Sequence, residues 1–134
     1  RIRKIDNKLQ RRGLENVRLL RAEAYYACTY LLPERSVDVF YVFHPDPWPK
    51  ARHAEHRLFS PAFMDALCRT LKERGCLHFS TDHEPYFETV RELFAGDDRF
   101  VTVEPFLPAA HERTDFELYY REHGTVHRAS YALR

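Results

Sequence analysis

The stretch Val37-Asp38-Val39-Phe40-Tyr41-Val42-Phe43-His44-Pro45-Asp46-Pro47-Trp48-Pro49-Lys50 decides how the chain is built. Its first seven residues are mostly β-branched or aromatic, with little polar alternation. That pattern predicts a strand over 37–43 buried on both faces, as in a parallel sheet. Pro45, Pro47 and Pro49 then stop it, each fixing its own φ and pushing the residue before it toward extended geometry. Asp46 has proline on both sides, so its carboxylate is carried on a stiff mount. Ligands of open parallel α/β sheets bind just beyond the carboxyl ends of the strands. An acid held there, with Trp48 and Lys50 close behind, is the first candidate for a site. The same residues also serve simply to end a strand, because Asp before Pro is an ordinary turn starter.

Outward from this stretch, composition sets the class. With 134 residues, the chain is long enough for one domain with a real core, and its 44% apolar and 31% charged content is that of a globular protein. No apolar run approaches the length of a membrane span and no signal-peptide pattern opens the chain, so no membrane partner is expected. Cys28, Cys68 and Cys76 form no CxxC pair and are odd in number. They read as reduced thiols of a cytoplasmic protein. A formal net charge of +1 does not announce a nucleic-acid binder, so any basic surface must be local. Gly13, Gly75, Gly96 and Gly124 are too far apart to make a G-x-G phosphate loop.

On the N-terminal side, Ile2, Ile5 and Leu9 fall at helical spacing among six Lys or Arg in the first twelve residues, and Gly13 is a helix stop. These cations either touch RNA phosphates or form the solvated face of an amphipathic helix. Asn16–Leu20 predicts a short strand, and Ala22-Glu23-Ala24 opens a helix running to about Leu31. On the C-terminal side, Ser60-Pro61 is a helix start whose apolar positions Phe63, Leu67 and Leu71 predict a core-facing helix ended by Gly75. Leu77–Ser80 predicts a second parallel strand, with Asp82 just past its end. Thr81 and Glu84 have the spacing of a capping box. Tyr86, Phe87, Val90, Leu93 and Phe94 predict a core-facing helix. Phe100–Val103 and Val126–Leu133 predict two further strands. Between them Thr114-Asp115-Phe116-Glu117 repeats the capping-box spacing. His53 and His56 lack a third ligand at sensible spacing, so no metal site is expected.

His44-Pro45-Asp46-Pro47-Trp48-Pro49-Lys50 resembles the Phe-Pro-Asp-Pro-Trp-Pro-Lys signature of the tRNA (guanine-N7)-methyltransferase family, with His44 where Phe is usual. Lys50-Ala51-Arg52-His53 resembles the first half of that family's Lys-x-Arg-His-x-Lys-Arg-Arg run. Glu55 and His56 replace two cations of its second half, which lowers the charge available to hold phosphate there. Thr81-Asp82 and the Thr-x-Phe-Glu of residues 114–117 resemble two later motifs, in the family's order. The resemblance implies an α/β fold, the Rossmann-like class I S-adenosylmethionine-dependent methyltransferase sandwich. It implies that residues 1–134 are the C-terminal portion of a single methyltransferase domain, with the first strand and its glycine-rich turn lying upstream. It also implies S-adenosylmethionine as cofactor and tRNA as partner, the target being the variable-loop guanine conventionally numbered 46. Glu23 stands where the family has the Asp of an Asp-Ala pair near the cofactor.

Guanine N7 already carries a lone pair, so methyl transfer to it needs positioning and charge management rather than proton removal. Carboxylates oppose the positive charge the base gains and accept from the N–H donors of its Watson–Crick edge. The expected roles follow from this and from the resemblance. Asp46 is the catalytic candidate and, with Glu23, contacts the cofactor. Asp82, Thr114, Asp115, Phe116 and Glu117 bind the base, and Lys50 and Arg52 bind phosphate. The alternatives are a catalytically silent RNA-binding module and a methyltransferase for guanine in another RNA.

Overall fold

The computed structural model describes residues 1–134. Five helices, α1 (Ile2–Arg11), α2 (Ala24–Tyr26), α3 (Pro61–Thr70), α4 (Glu84–Ala95) and α5 (Asp115–His123), accompany four strands. The strands are β1 (Val37–Phe43), β2 (Leu71–Thr81), β3 (Phe100–Val103) and β4 (His127–Leu133). They make one sheet in the order β1-β2-β4-β3, with β1 and β2 parallel and β4 antiparallel to both neighbours. Parallel neighbours need a crossover connection, and α3 supplies it. α2 runs on through wider π-type turns over Ala27–Leu31. Arg69 of α3 ties that segment down by donating to the carbonyls of Cys28 and Leu32. No helix is long and apolar enough to cross a membrane, and the three cysteines are unpaired.

One face of the sheet is closed by α3 and α4. Ser60 caps α3, its Oγ accepting from Phe63 N–H at 3.2 Å, and Pro61 follows at the first helical position. The apolar stripe thus started buries Phe63, Met64 and Leu67. α4 buries Tyr86, Phe87, Val90 and Phe94 against Leu77, Phe79 and Tyr131 of the sheet, with Phe94 stacked on Tyr131 at 3.7 Å between ring centroids. Tyr41, Phe43 and His78 project from the opposite face, where Phe106 lies across them.

Four local expectations are corrected. Residues 16–20 form no strand: Val17, Leu19 and Leu20 are exposed and have no neighbouring strand to complete a ladder. β1 has the predicted limits but is an edge strand, so Val39 and Tyr41 are exposed rather than buried on both faces. α3 ends at Thr70, not Gly75, because Leu71 leaves helical geometry (φ −65°, ψ 138°) to pair with Val37. The Thr81–Glu84 capping box is absent. Thr81 is buried as the last residue of β2 and its hydroxyl accepts from His83 N–H, while His83 caps α4 through Nδ1.

Gly75 has a different task from the one its helix-ending position implied. It sits in the bulge between the two registers of the β1–β2 ladder, pressed against backbone. A Cβ there would lie 2.9 Å from Lys72 O and 3.2 Å from Asp38 O. Gly75→Ala is therefore expected to destabilise the fold by about 1–3 kcal/mol, read as a lower denaturant midpoint. An unchanged midpoint contradicts the tight packing of this bulge.

Candidate active site

The loop after β1 is held by its own backbone and by one arginine. His44 keeps the sheet pattern for one more residue, its N–H donating to Ser80 O at 2.8 Å, then turns away with φ 50°. Trp48 also has a positive φ, 42°, uncommon for side-chain-bearing residues. Between them Asp46 is exposed, and its Oδ1 accepts from Trp48 N–H at 3.1 Å, closing an Asx turn. Arg57 donates from Nε to Pro47 O at 2.8 Å and from Nη2 to Trp48 O at 3.2 Å. Its guanidinium also stands 5.4 Å over the ring of fully buried Tyr86. The proline loop is thereby bolted to α4.

His44 is where the separated motifs meet. Its Nδ1 lies 3.4 Å from Asp82 Oδ1, at the end of β2. Its ring is flanked by Phe116 at 4.9 Å and by Tyr120 at 6.3 Å, nearly parallel to the latter. The His44 side chain is only 7% exposed and its Nε2 has no partner, whereas Asp82 remains 27% exposed. Asp82 therefore keeps an open side toward solvent. Its negative charge, the largest cause, pushes the Tyr120 hydroxyl above its ordinary pKa.

The other candidate residues are distributed around this point. Thr114 caps α5, its hydroxyl accepting from Glu117 N–H at 3.1 Å, and Asp115 is exposed in the first turn. The buried Glu117 carboxylate accepts from Arg128 Nη2 and lies 4.0 Å from Arg113 Nε, one helical flank round from Phe116 and Tyr120. Glu23 caps α2 with both oxygens, accepting from Tyr25 and Tyr26 N–H at 2.8 Å each. It also lines, with Trp48 and Arg57, a hollow of about 410 Å³. Lys50 and Arg52 are exposed and have no carboxylate partner. His53 and His56 pack around Trp48, at 5.7 and 5.0 Å.

Sequence reasoning passed over Tyr120 and Arg57. Tyr120 was within reach, because it follows Phe116 by four residues and so shares its helical face. Arg57 reads as one more cation of a basic run, and only the fold shows that it turns inward. Arg57→Ala removes two charge-assisted hydrogen bonds and a cation–π contact, and is expected to destabilise the loop by about 1–3 kcal/mol. Trp48 is the only tryptophan in these 134 residues, so within them tryptophan fluorescence reports on this loop. In the variant, its emission should shift at denaturant concentrations where the far-ultraviolet circular dichroism is still native. Coincident transitions contradict the clamp.

The mixed four-stranded sheet with α3 and α4 on one face defines the class as an α/β, Rossmann-like methyltransferase fold. The chain superimposes on a SAM-dependent O-methyltransferase from Thermotoga maritima with a TM-score of 0.58, over 98% of this chain and 45% of that one. At 16% identity that likeness concerns fold alone. Residues 1–127 match the family described as "Putative methyltransferase", and the chain belongs to that family. Curated relatives are named tRNA (guanine-N(7)-)-methyltransferase. The one from Paracidovorax citrulli is 40% identical over 90 residues, covering 67% of this chain and 36% of the relative. That of Nitrosospira multiformis is 42% identical over 84 residues, covering 63% of this chain and 37% of the relative. The chain spans about a third of the length of these relatives.

Proposed function

We propose that the protein carrying this chain is a tRNA (guanine-N7)-methyltransferase that transfers a methyl group from S-adenosylmethionine to N7 of the variable-loop guanine numbered 46. The observation that carries the reading is the meeting of three sequence-distant segments at His44. Asp82 comes from the end of β2, Phe116 and Tyr120 come from α5, and the Asp46 loop continues directly from His44. The names of the curated relatives support the same activity.

The residues suit the chemistry. Asp82 presents a carboxylate with an open side, able to accept two N–H donors from the Watson–Crick edge of guanine. Phe116 is half exposed beside it and offers a ring on which a displaced base can stack. Asp46 has one oxygen engaged with Trp48 N–H and the other free, which suits a neighbouring cationic group and the positive charge that develops on the base. Asp46 fits S-adenosylmethionine on that ground. Glu23 contributes negative charge to the hollow lined by Trp48 and Arg57 while its oxygens hold α2. S-adenosylmethionine supplies an electrophilic methyl group on a sulfonium. Guanine N7 attacks without losing a proton first, so the protein provides no general base. Lys50 and Arg52, exposed and unpaired, hold the phosphate backbone next to the base.

The test is to incubate the protein with tRNA and methyl-labelled S-adenosylmethionine and to identify the labelled nucleoside. N7-methylguanosine is expected. Label on another base, or none, defeats the reading, and retained tRNA binding without label would favour a silent RNA-binding module.

A further inference from the structure

The geometry points to a second RNA contact, a phosphate-binding site formed by Arg113, Arg121 and Arg128 on the flank of α5 beside the base site. The three guanidinium groups line one hollow of about 410 Å³. A single carboxylate among its lining residues, Glu117, faces them, so two positive charges there are uncompensated. Glu117 is buried and its partners are Arg128 and Arg113, so it sets the spacing of those two forks instead of facing solvent. Arg128 is further fixed by donating to Val126 O at 3.3 Å. Arg121 is exposed and makes no ion pair or side-chain hydrogen bond within the chain. Two arginines held in place and a third left free match the planar, bidentate recognition of phosphate oxygens.

Position makes RNA the occupant. Phe116 and Tyr120 occupy one face of α5, and Glu117 and Arg121 the adjacent one. A base held at His44 and Asp82 and a phosphate held by the arginines are then separated by roughly the width of one helix, about 10 Å. The site also answers a deficit in the loop after β1, where Glu55 and His56 pair with each other and leave Lys50 and Arg52 as the cations that face solvent freely. This assignment rests on the RNA-methylating reading, because it supposes that a nucleotide occupies the neighbouring cleft.

The test is the salt dependence of tRNA binding by the protein carrying this chain, measured by fluorescence anisotropy. Arg121→Gln should flatten the plot of log affinity against log salt by about 0.7–0.9, the loss of one phosphate contact. The change should be the same for tRNA with guanine or adenine at the target position, since phosphate carries no base identity. Lys72→Gln, whose side chain pairs with Asp38 at the other end of β1, should leave the slope unaltered. Arg121 has no internal partner, so the variant should keep the parent's denaturant midpoint. Arg113→Gln provides a second reading of the same slope. Unchanged slopes in both arginine variants of an RNA-binding parent overturn this site alone. A parent that binds no tRNA overturns the RNA-methylating reading as well.

Discussion

Asp82→Asn is expected to lower kcat/KM for tRNA methylation roughly a hundredfold. Asparagine has the same shape and can still meet His44, but it offers one carbonyl oxygen where guanine presents two N–H donors. Losing one hydrogen bond to a charged acceptor against the facing amide NH2, and weakening the other to a neutral one, together cost about 3 kcal/mol, or some two powers of ten in rate. Asp82 is mostly buried by its neighbours yet open on one side, and that combination gives its charge leverage over a ligand. Steady-state kinetics on a tRNA transcript measure the effect. A kcat/KM within a factor of two or three of the parent would remove Asp82 from the base site and leave it as a partner of His44 and Tyr120 only.

Asp46→Asn is expected to lower turnover at least about tenfold while changing the KM for tRNA little. The amide oxygen of asparagine can still accept from Trp48 N–H, so the Asx turn and the Arg57 clamp persist and only the negative charge is removed. The base acquires positive charge as the methyl group arrives, and a fixed carboxylate nearby lowers the energy of that state more than that of the bound substrate. The effect therefore belongs in kcat. Unchanged turnover, with the variant folded as the parent is, takes Asp46 away from the reacting centre.

What could be read from the chain divides by the range of the interactions involved. β1 was legible to the residue because a β-branched run stopped by prolines is a local signal. The start of α3 was legible because Ser60-Pro61 completes a cap without help from elsewhere. Leu71 was not. An apolar residue four positions after Leu67 suits either another helical turn or the first residue of a strand, and only pairing with Val37 decides. Residues 16–20 have the composition of a strand, but a ladder needs a neighbour, and they have none.

The same division runs through the site. Strand-end reasoning brought Asp46 and Asp82 to one rim, and the structure joins their segments through His44, 38 residues from Asp82. The helical period put Thr114 and Glu117 in one turn, yet it carried no information about Arg128. That residue arrives from β4, eleven positions later, and draws the Glu117 carboxylate into an internal ion pair. Glu117 is expected from the family resemblance to hold the base, and in the structure its carboxylate is engaged by Arg128 and lies close to Arg113. The Arg57 clamp was hidden for a related reason, since a cation in a basic run looks solvated until α4 is packed behind it.

The central claim is that the segments meeting at His44 form one site reading one guanine. Two tRNA transcripts identical except for guanine or adenine at variable-loop position 46 test it most directly, each incubated with the protein and labelled S-adenosylmethionine. The account predicts methylation of the first and none of the second. Equal labelling of both contradicts it.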